Sequence, residues 1–537
     1  MSEAADFEPG KEVKIKLGYH STDADAFSGV ITSQQLRFRS ADKTSELEVV
    51  CHDKAFQMTL GRKSATFKEM KDSEVISKVV KDNSLKVKVK ATTFKFPLMV
   101  QYNSSDWDFV LTRADANGHI VINEGGELDV GPPEVSGSEA LEVNYGKDVF
   151  DFDAELDSTE QLLSVSAEAW DAKTGKMLSG ASKEPSVGSH GNIDGKKLAK
   201  VAGNPKYEIK TSAADPKEEL EALANAILLR NRMGRLKGHV SFPGSTKAEV
   251  GKLIKLAGFG ARFNGIAYIS SVHHELESGF WTTTVGFGID SRPYADEGSI
   301  SGPSAAGLIP GVSGIHIGKV DKITEDPDSQ FRVSVSVPSL NIEKDKVWAR
   351  LAFPYASNGI GMYFFPEVGD EVLLGFLDND PRNAVILGSV YGPKNKAPFT
   401  PDKDNKDKAI ITKEKLMVSF DDKDKIITIE TPGGQKVTLD DKGKSLTLED
   451  QNKNKVDMSS SGISLTSNKD IKLDSKGAIT ISAVKKIDMK ASGGDVAMEG
   501  LNIKSKAKIG LTAEGTATAE LKASGNVTVK GAMVMIN

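Results

Sequence analysis

The residues best equipped for chemistry are His273 and His274, followed by Glu275 and Glu277. Imidazole and carboxylate groups bind zinc, so this cluster invites a metal-site reading. Adjacent residues of a strand point to opposite faces and rarely share an ion, which favours a structural role. Asp106 and Asp108 form a candidate carboxylate pair for general acid–base work. His239 and His316 stand alone in strand-like runs and read as ordinary hydrogen-bonded residues. The single cysteine, Cys51, lies in the strand-like run Glu46–Cys51 and is expected to be buried. One thiol makes no intrachain disulfide. Gly258-Phe-Gly is not followed by Gly-Lys-Ser/Thr, so it fits no phosphate loop. No nucleophile–base set is recognisable. The expectation is a protein without catalytic, cofactor-binding or metal-ligating residues.

The elements that would position these residues are short strands and a few helices. At 537 residues the chain is too long for one core, and three or four domains are expected. Its 69 Lys and Arg against 75 Asp and Glu leave a net charge of −6, which argues against a general nucleic-acid binder. The start, Met-Ser-Glu-Ala-Ala-Asp-Phe, has neither a basic nor an apolar leader region, so synthesis without a signal peptide is expected. Val13–Leu17, Phe27–Ile31 and Ser45–Cys51 read as strands. Val75, Ile76, Val79 and Val80 lie on one face of a helix expected over Asp72–Asp82. A second helix is expected over Asp106–Ala116, with Asp106 as N-cap and Gly118 ending it. A third begins at Asp215-Pro216, with Leu220, Leu223, Ala224, Ile227 and Leu228 as its apolar stripe.

From Ser299 to Ser313 the composition is that of a Gly/Pro linker. Five strands follow, at His316–Thr324, Phe331–Val337, Trp348–Leu351, Glu371–Phe376 and Ala384–Val390, in a pattern that fits a small OB-type barrel. Pro393–Asp407 reads as a second, charged linker. Beyond it, apolar-x-apolar pairs recur at Ile427-Ile429, Val437-Leu439, Leu446-Leu448 and Val456-Met458. They then step by eight through Ile463-Leu465, Ile471-Leu473, Ile479-Ile481 and Ile487-Met489. Alternation over three residues is the strand period, and the Gly or Ser-Lys between pairs marks a bend. A repeat this short cannot bury its apolar face alone and must stack on neighbours, as in a β-solenoid.

Several segments together resemble the VgrG spike proteins of contractile injection systems and the related hub-and-spike proteins of contractile phage tails. Gly10–Tyr19 with Phe27–Ile31 resembles the hub's early strands. Gln101-Tyr-Asn-Ser-Ser-Asp-Trp-Asp-Phe resembles a hub segment of the form Q-Y-x-x-S-D-x-D-F. Phe353-Pro-Tyr-Ala, Phe365-Pro-Glu-Val-Gly-Asp-Glu-Val-Leu and Asp378–Tyr391 resemble the barrel signature. Relatives usually carry several dozen residues before the Gly10 strand, so the hub's opening strands are expected to be missing. Only Pro393–Asp407 separates barrel from repeat, which leaves no room there for the lysozyme domain of some phage relatives.

The resemblance implies a mainly β fold: tandem hub barrels, an OB-fold barrel and a C-terminal intertwined triple-stranded β-helix needle. The boundaries would be hub residues 1–138 and 139–298, linker 299–313, barrel 314–392, linker 393–410 and spike 411–537. It implies a homotrimer whose needle core includes Ile463, Leu465, Ile471, Leu473, Ile479, Ile481, Ile487 and Met489. About fourteen pairs stacked at ~4.8 Å give a needle of roughly 65 Å, longer than a bilayer is thick. Met533, Val534, Met535 and Ile536 would form an apolar blunt end that receives a PAAR-like tip protein. Further implied partners are the inner tube or its initiator, baseplate proteins, cargo effectors and a target membrane, but no nucleic acid. The implied location is an injection particle or secretion apparatus. A phage-tail spike that binds or cleaves polysaccharide is the competing reading.

Overall fold

In a computed structural model of the chain, residues 4–20, 22–39, 44–211, 216–298 and 300–536 are described. The chain divides into two compact units, residues 1–395 and 396–537. Among the described residues no helix is long and apolar enough to cross a membrane.

The first unit opens with an antiparallel ribbon of Glu12–Tyr19, Thr22–Arg39 and Thr44–His52. Helix α1 covers Asp72–Asp82, as the apolar spacing predicts, and buries Val75, Ile76, Val79 and Val80. Its first turn is closed by Glu74, whose carboxylate accepts from the Lys71 amide at 2.8 Å. Helix α2 covers Asp106–Ala116, but its N-cap is Ser105, not Asp106: the Ser105 hydroxyl accepts from the Asp108 amide at 3.0 Å. Asp106 is used elsewhere, as described below. Gly118, at φ +67°, lets the chain leave the helix in the left-handed region that only glycine enters cheaply. Both helices close over a core containing Met58, Phe67, Phe109, Leu128 and Val130.

The next part is built on a six-stranded sheet in the order Asp151–Leu156, Leu236–Pro243, Phe280–Phe287, Gly265–Glu277, Leu253–Ala257 and Leu141–Asn144. A smaller sheet, Lys176–Ala181, Ser164–Asp171 and Lys206–Thr211, packs on the long helix that follows it in the chain. Helix α3, Gly195–Val201, is too short for periodicity to reveal. Helix α4 spans Lys217–Met233 with Pro216 as N-cap; the expected cap, Asp215, lies outside the described residues. Leu220, Ala224, Ile227 and Leu228 of its apolar stripe are buried, and Leu223 packs beside them.

Polar contacts tie these parts together. Arg113 of α2 forks onto Asp72 of α1 at 2.6 and 3.0 Å and reaches Glu219 of α4 at 3.4 Å. Arg230 of α4 holds Asp115 of α2 at 2.8 Å, and the Tyr294 amide donates to the same carboxylate. Arg232, only 1 % exposed, forks onto Glu184 and donates to the Asn231 and Gln161 side chains. Gly195 is required beside it, because a Cβ there would lie 2.3 Å from the Arg232 Cδ.

The expected linker is pinned at both ends. The Gly302 amide donates to the Asn103 carbonyl at 2.8 Å, and the Val312 amide to the Asn379 carbonyl at 2.7 Å. A closed five-stranded barrel follows: His316–Lys322, Val333–Val337, Ile342–Leu351, Glu371–Phe376 and Ala384–Ser389. Its interior is Val320, Val333, Val335, Val337, Ala349, Val372, Leu374 and Ile386. A hairpin at Ala356–Ser357 and Ile360–Gly361 decorates it.

In the second unit, strands Asp407–Ile411, Met417–Asp421, Ile426–Glu430, Lys436–Asp440, Ser445–Glu449, Lys455–Ser459 and Gly462–Thr466 form one seven-stranded antiparallel meander. The pairs from Ile427 to Met458 are therefore rungs of nearest-neighbour hairpins and not of a single-chain solenoid. Their spacing is looser than eight because each reversal needs its own turn. Four of the six turns place a lysine at positive φ: Lys415, Lys425, Lys444 and Lys453. One sheet margin carries a ladder of alternating charge, Glu430 opposite Lys436, Lys436 opposite Glu449, and Glu449 opposite Lys455. Opposite charges across strands favour this register. Among the described residues no strand follows Thr466.

Two predictions follow from the packing around α3 and α4. Glu184→Gln leaves the Arg232 charge buried without its counter-ion, and the loss should sit near the low end of the ~3–5 kcal/mol typical of broken buried pairs, because Glu184 is itself partly exposed. Urea unfolding would measure it. His190 is buried, and its Nε2–H donates to the Phe263 carbonyl at 3.2 Å. Burial, and secondarily the Arg235 charge, depress its pKa to about 4. The folded state thus resists protonation that the unfolded state accepts. Stability is unaffected above pH ~6.5 and falls by up to about 3 kcal/mol as the pH drops from there to ~4. His190→Gln should remove that component of the acid-induced drop in melting temperature.

Candidate functional site

Most of the groups with chemical potential are engaged in structural contacts. Asp106 accepts from Lys63 Nζ at 2.8 Å, Asn83 Nδ2 at 2.7 Å and Gln101 Nε2 at 3.0 Å. Burial alone would raise its pKa, but these donors outweigh burial and hold it below the usual carboxylate range. Asp108 accepts from the Ser105 and Tyr294 hydroxyls, both at 2.7 Å. The two acids thus anchor the start of α2 and face different partners. Gln101 of the Gln101–Phe109 motif belongs to the same network: it is completely buried and its side-chain amide also donates to the Ser104 carbonyl.

His273 and His274 occupy successive positions of the strand Gly265–Glu277, opposite Thr284 and Thr283. His274 is half-buried and hydrogen-bonded to the Thr283 hydroxyl at 2.8 Å, whereas His273 is exposed. Burial, then the neighbouring imidazole, lower the His274 pKa. His239 meets Asp151 at 3.0 Å, and His316 meets the Ser339 hydroxyl and the Ser313 carbonyl. Cys51 is half-buried opposite Ile31, and burial raises its thiol pKa.

The distinctive site is a surface in the second unit. In the meander, residues two apart share a face, and the register lines up one apolar wall. It runs through Val418 and Phe420, Ile427 and Ile429, Val437 and Leu439, Leu446 and Leu448, Val456 and Met458, and Ile463 and Leu465. The opposite face carries Ser419, Thr428, Thr438, Thr447, Asp457 and Ser464 along its middle. A sheet with one apolar face normally buries that face against another layer. Here Ile429, Leu439 and Leu448 are each more than 40 % exposed, and Ile463 is 73 % exposed. Contiguous apolar surface of this extent marks an interaction site.

The eight expected core residues divide accordingly. Ile463 and Leu465 lie in the last strand, opposite Met458 and Val456. Ile471 joins Leu465, Val456, Leu448 and Val437 in lining a groove of about 460 Å³. Leu473, Ile479, Ile481, Ile487 and Met489 are exposed and lie in no assigned strand. Met533, Val534, Met535 and Ile536 are likewise exposed. The strand Met417–Asp421 was not anticipated, although Val418-Ser-Phe420 repeats the apolar-x-apolar signature.

Comparison with known proteins assigns these parts. Residues 1–278, more than half of the chain, match the family described as the Alg8 N-terminal domain. Residues 316–391 match the type VI secretion system/phage-baseplate injector OB domain, and residues 426–503 the phage baseplate V C-terminal trimerisation domain. The type VI secretion system spike protein VgrG3 of Vibrio cholerae is 35% identical over 91 residues, 16% of this chain and 9% of that protein. Spike protein VgrG4b of Pseudomonas aeruginosa is 39% identical over 57 residues, 11% of this chain and 7% of that protein. The chain thus spans less than a tenth of the length of these relatives. Among solved structures, the 43 kDa tail protein of prophage MuSo2 from Shewanella oneidensis aligns over 55% of this chain and 86% of its own, at 11% identity and TM-score 0.41. An Escherichia coli component of the type VI secretion system aligns over 72% and 89%, at 13% identity and TM-score 0.35. By its N-terminal half the chain belongs to the Alg8 N-terminal domain family, and residues 316–391 and 426–503 match domains of type VI secretion and phage-baseplate injectors.

Proposed function

We propose that three copies of this chain form the central spike of a contractile injection machine, joining tube and baseplate to a membrane-puncturing needle. The observation that carries this is the one-sided apolar wall from Val418 to Leu465, which remains partly exposed among the described residues. Three such walls facing a common axis bury one another. With twelve side chains per chain, and roughly 1.5–3 kcal/mol for each one fully buried, the assembled prism gains tens of kcal/mol. Beyond residue 466 the octads continue as an intertwined triple-stranded β-helix, in which each backbone finds its hydrogen bonds on the other two chains. This accounts for the absence of assigned strands in a single chain, since buried backbone groups require partners.

In this reading residues 1–298 form tandem hub barrels, joined through residues 299–313 to the OB barrel at 314–392, then through 393–410 to the spike at 411–537. The hub meets the tube initiator and baseplate proteins. The blunt end at Met533–Ile536 receives a PAAR-like tip, and effectors ride on that tip or on the spike. The work is mechanical: sheath contraction supplies force, and the rod transmits it to the target membrane.

Light scattering on the purified protein should give the mass of three chains, and a monomer in native buffer would overturn the proposal. Leu439→Asp and Ile471→Asp each place three carboxylates on the shared axis and should prevent trimer formation. Unchanged trimers from both would show that the wall is not the common core. Ile536→Asp should leave the trimer mass unchanged and reduce capture of a purified PAAR-like protein at least tenfold.

A further inference from the structure

Three Asn-Gly dipeptides occur in the chain, at Asn117-Gly118, Asn264-Gly265 and Asn358-Gly359. An asparagine before glycine is open to one reaction that needs no catalyst: attack of the next amide nitrogen on the carbonyl carbon of the asparagine side chain. Glycine favours it, because no Cβ shields the nitrogen or restricts the backbone around it. By sequence the three sites are equal, and the fold separates them.

Two of them are locked. Asn117 caps the end of α2, where its Nδ2 donates to the Asp72 carboxylate at 2.8 Å and to the Arg113 carbonyl at 2.9 Å. The Gly118 amide, the attacking group there, donates to the Asp115 carbonyl at 2.9 Å. Asn264 Oδ1 accepts from the Phe259 amide at 2.8 Å, and Gly265 packs so closely that a Cβ would lie 2.2 Å from the Ser189 carbonyl oxygen. Reaction at either site requires these contacts to break. Asn358 and Gly359, in contrast, are the exposed two-residue loop of the hairpin Ala356–Ser357 and Ile360–Gly361. Among the described residues the Asn358 side chain has no hydrogen-bond partner, and the Gly359 amide donates to no carbonyl. Gly359 sits at φ +73°, with no heavy atom within 4 Å of the place a Cβ would take. The hairpin is held by two paired positions and by the Met362 amide on the Tyr355 carbonyl at 2.9 Å. A two-stranded ribbon this short is marginal by itself, so its loop opens at little cost.

We infer that Asn358 is a site of spontaneous modification, at which the chain converts an amide to a carboxylate as it ages. The Gly359 nitrogen loses its proton and bonds to Asn358 Cγ, while the Cγ–Nδ2 bond breaks and Nδ2 leaves as ammonia. Water then opens the five-membered imide. Opening at Cγ gives aspartate, and opening at the backbone carbonyl carbon of residue 358 gives isoaspartate, with the main chain rerouted through Cβ. The sum is amide plus water to acid plus ammonia, so no oxidant or reductant is consumed. The surroundings give the conversion its effect. No side chain from Leu351 to Pro366 is charged, while Tyr355, Ile360, Met362 and Tyr363 are exposed. A carboxylate at residue 358 turns this neutral, apolar loop into an anionic one and penalises its burial against any apolar surface. None of this depends on the trimer proposed above.

The test is to age the purified full-length protein in neutral and in mildly alkaline buffer and to follow all three sites by peptide mapping with mass spectrometry. Conversion at Asn358 should run at least tenfold faster than at Asn117 or Asn264. It should also be faster at the higher pH, because the attacking nitrogen must shed its proton. Gly359→Ala, for which the loop has room, should slow it at least tenfold, with circular dichroism confirming the fold. Asn358→Gln, which would need a six-membered ring and leaves the glycine in place, should do the same if the alanine variant is perturbed. In urea the three sites should converge, since unfolding frees Asn117 and Asn264. Equal rates at the three sites of the folded protein, or the same disparity in urea as in the folded state, would overturn the inference.

Discussion

The structure depends on one unmet requirement: a sheet with a dry face and a following segment whose backbone has no strand partner of its own. Among the described residues of 396–537 neither is completed. Water satisfies the exposed amides and carbonyls of the lone chain, but it does not relieve the cost of the apolar wall. Association therefore has to supply the missing layer, and the natural supplier is an identical chain, because identical walls are complementary in length and register by construction. The trimerisation domain matched over residues 426–503 is the sequence-level form of the same requirement.

The first unit meets its requirements internally and by different means. Apolar cores under α1 and α2 and inside the barrel do the ordinary work. The junctions between elements, in contrast, are held by Arg113, Arg230 and Arg232, each with carboxylate partners. Arg113 and Arg232 each engage both oxygens of a carboxylate at once, which fixes orientation as well as distance, while Arg230 sets two donors on one oxygen of Asp115. Buried pairs of this kind add little net stability but penalise every arrangement that separates them.

Much of this was legible in the sequence because it rests on periodicity. The apolar face of α1, the stripe of α4 and four of the five barrel strands follow from spacing, whereas the third barrel strand, expected over Trp348–Leu351, begins at Ile342 because its charged first half shows no apolar alternation. The N-cap of α2 was misassigned because Ser105 and Asp106 are both good caps, and only the tertiary contacts of Asp106 with Lys63, Asn83 and Gln101 decide between them. Helix α3 was invisible for want of length. The pairs between Ile427 and Met458 showed their strand character but not their connectivity, since apolar-x-apolar spacing is the same in a hairpin meander and in a stacked coil. The wall was visible as pairs of residues. That they form one face required the register.

The lysines in the meander's turns carry a consequence of their own. A non-glycine residue in the left-handed region costs about 1 kcal/mol, and glycine would occupy Lys415, Lys425, Lys444 and Lys453 more comfortably. The chain accepts this strain at four reversals while using Gly434 and Gly462 at the other two. What lysine supplies and glycine does not is a charged side chain that reaches a neighbouring acid: Lys425 meets Asp441 of the next reversal on the same margin at 3.8 Å, and Lys453 meets Glu449 at 2.8 Å. The pair Lys442–Asp424, at 2.7 Å, joins the same two reversals in the opposite sense. The margin is thus a seam of mixed sign that favours one alignment of successive reversals and loosens as salt screens it.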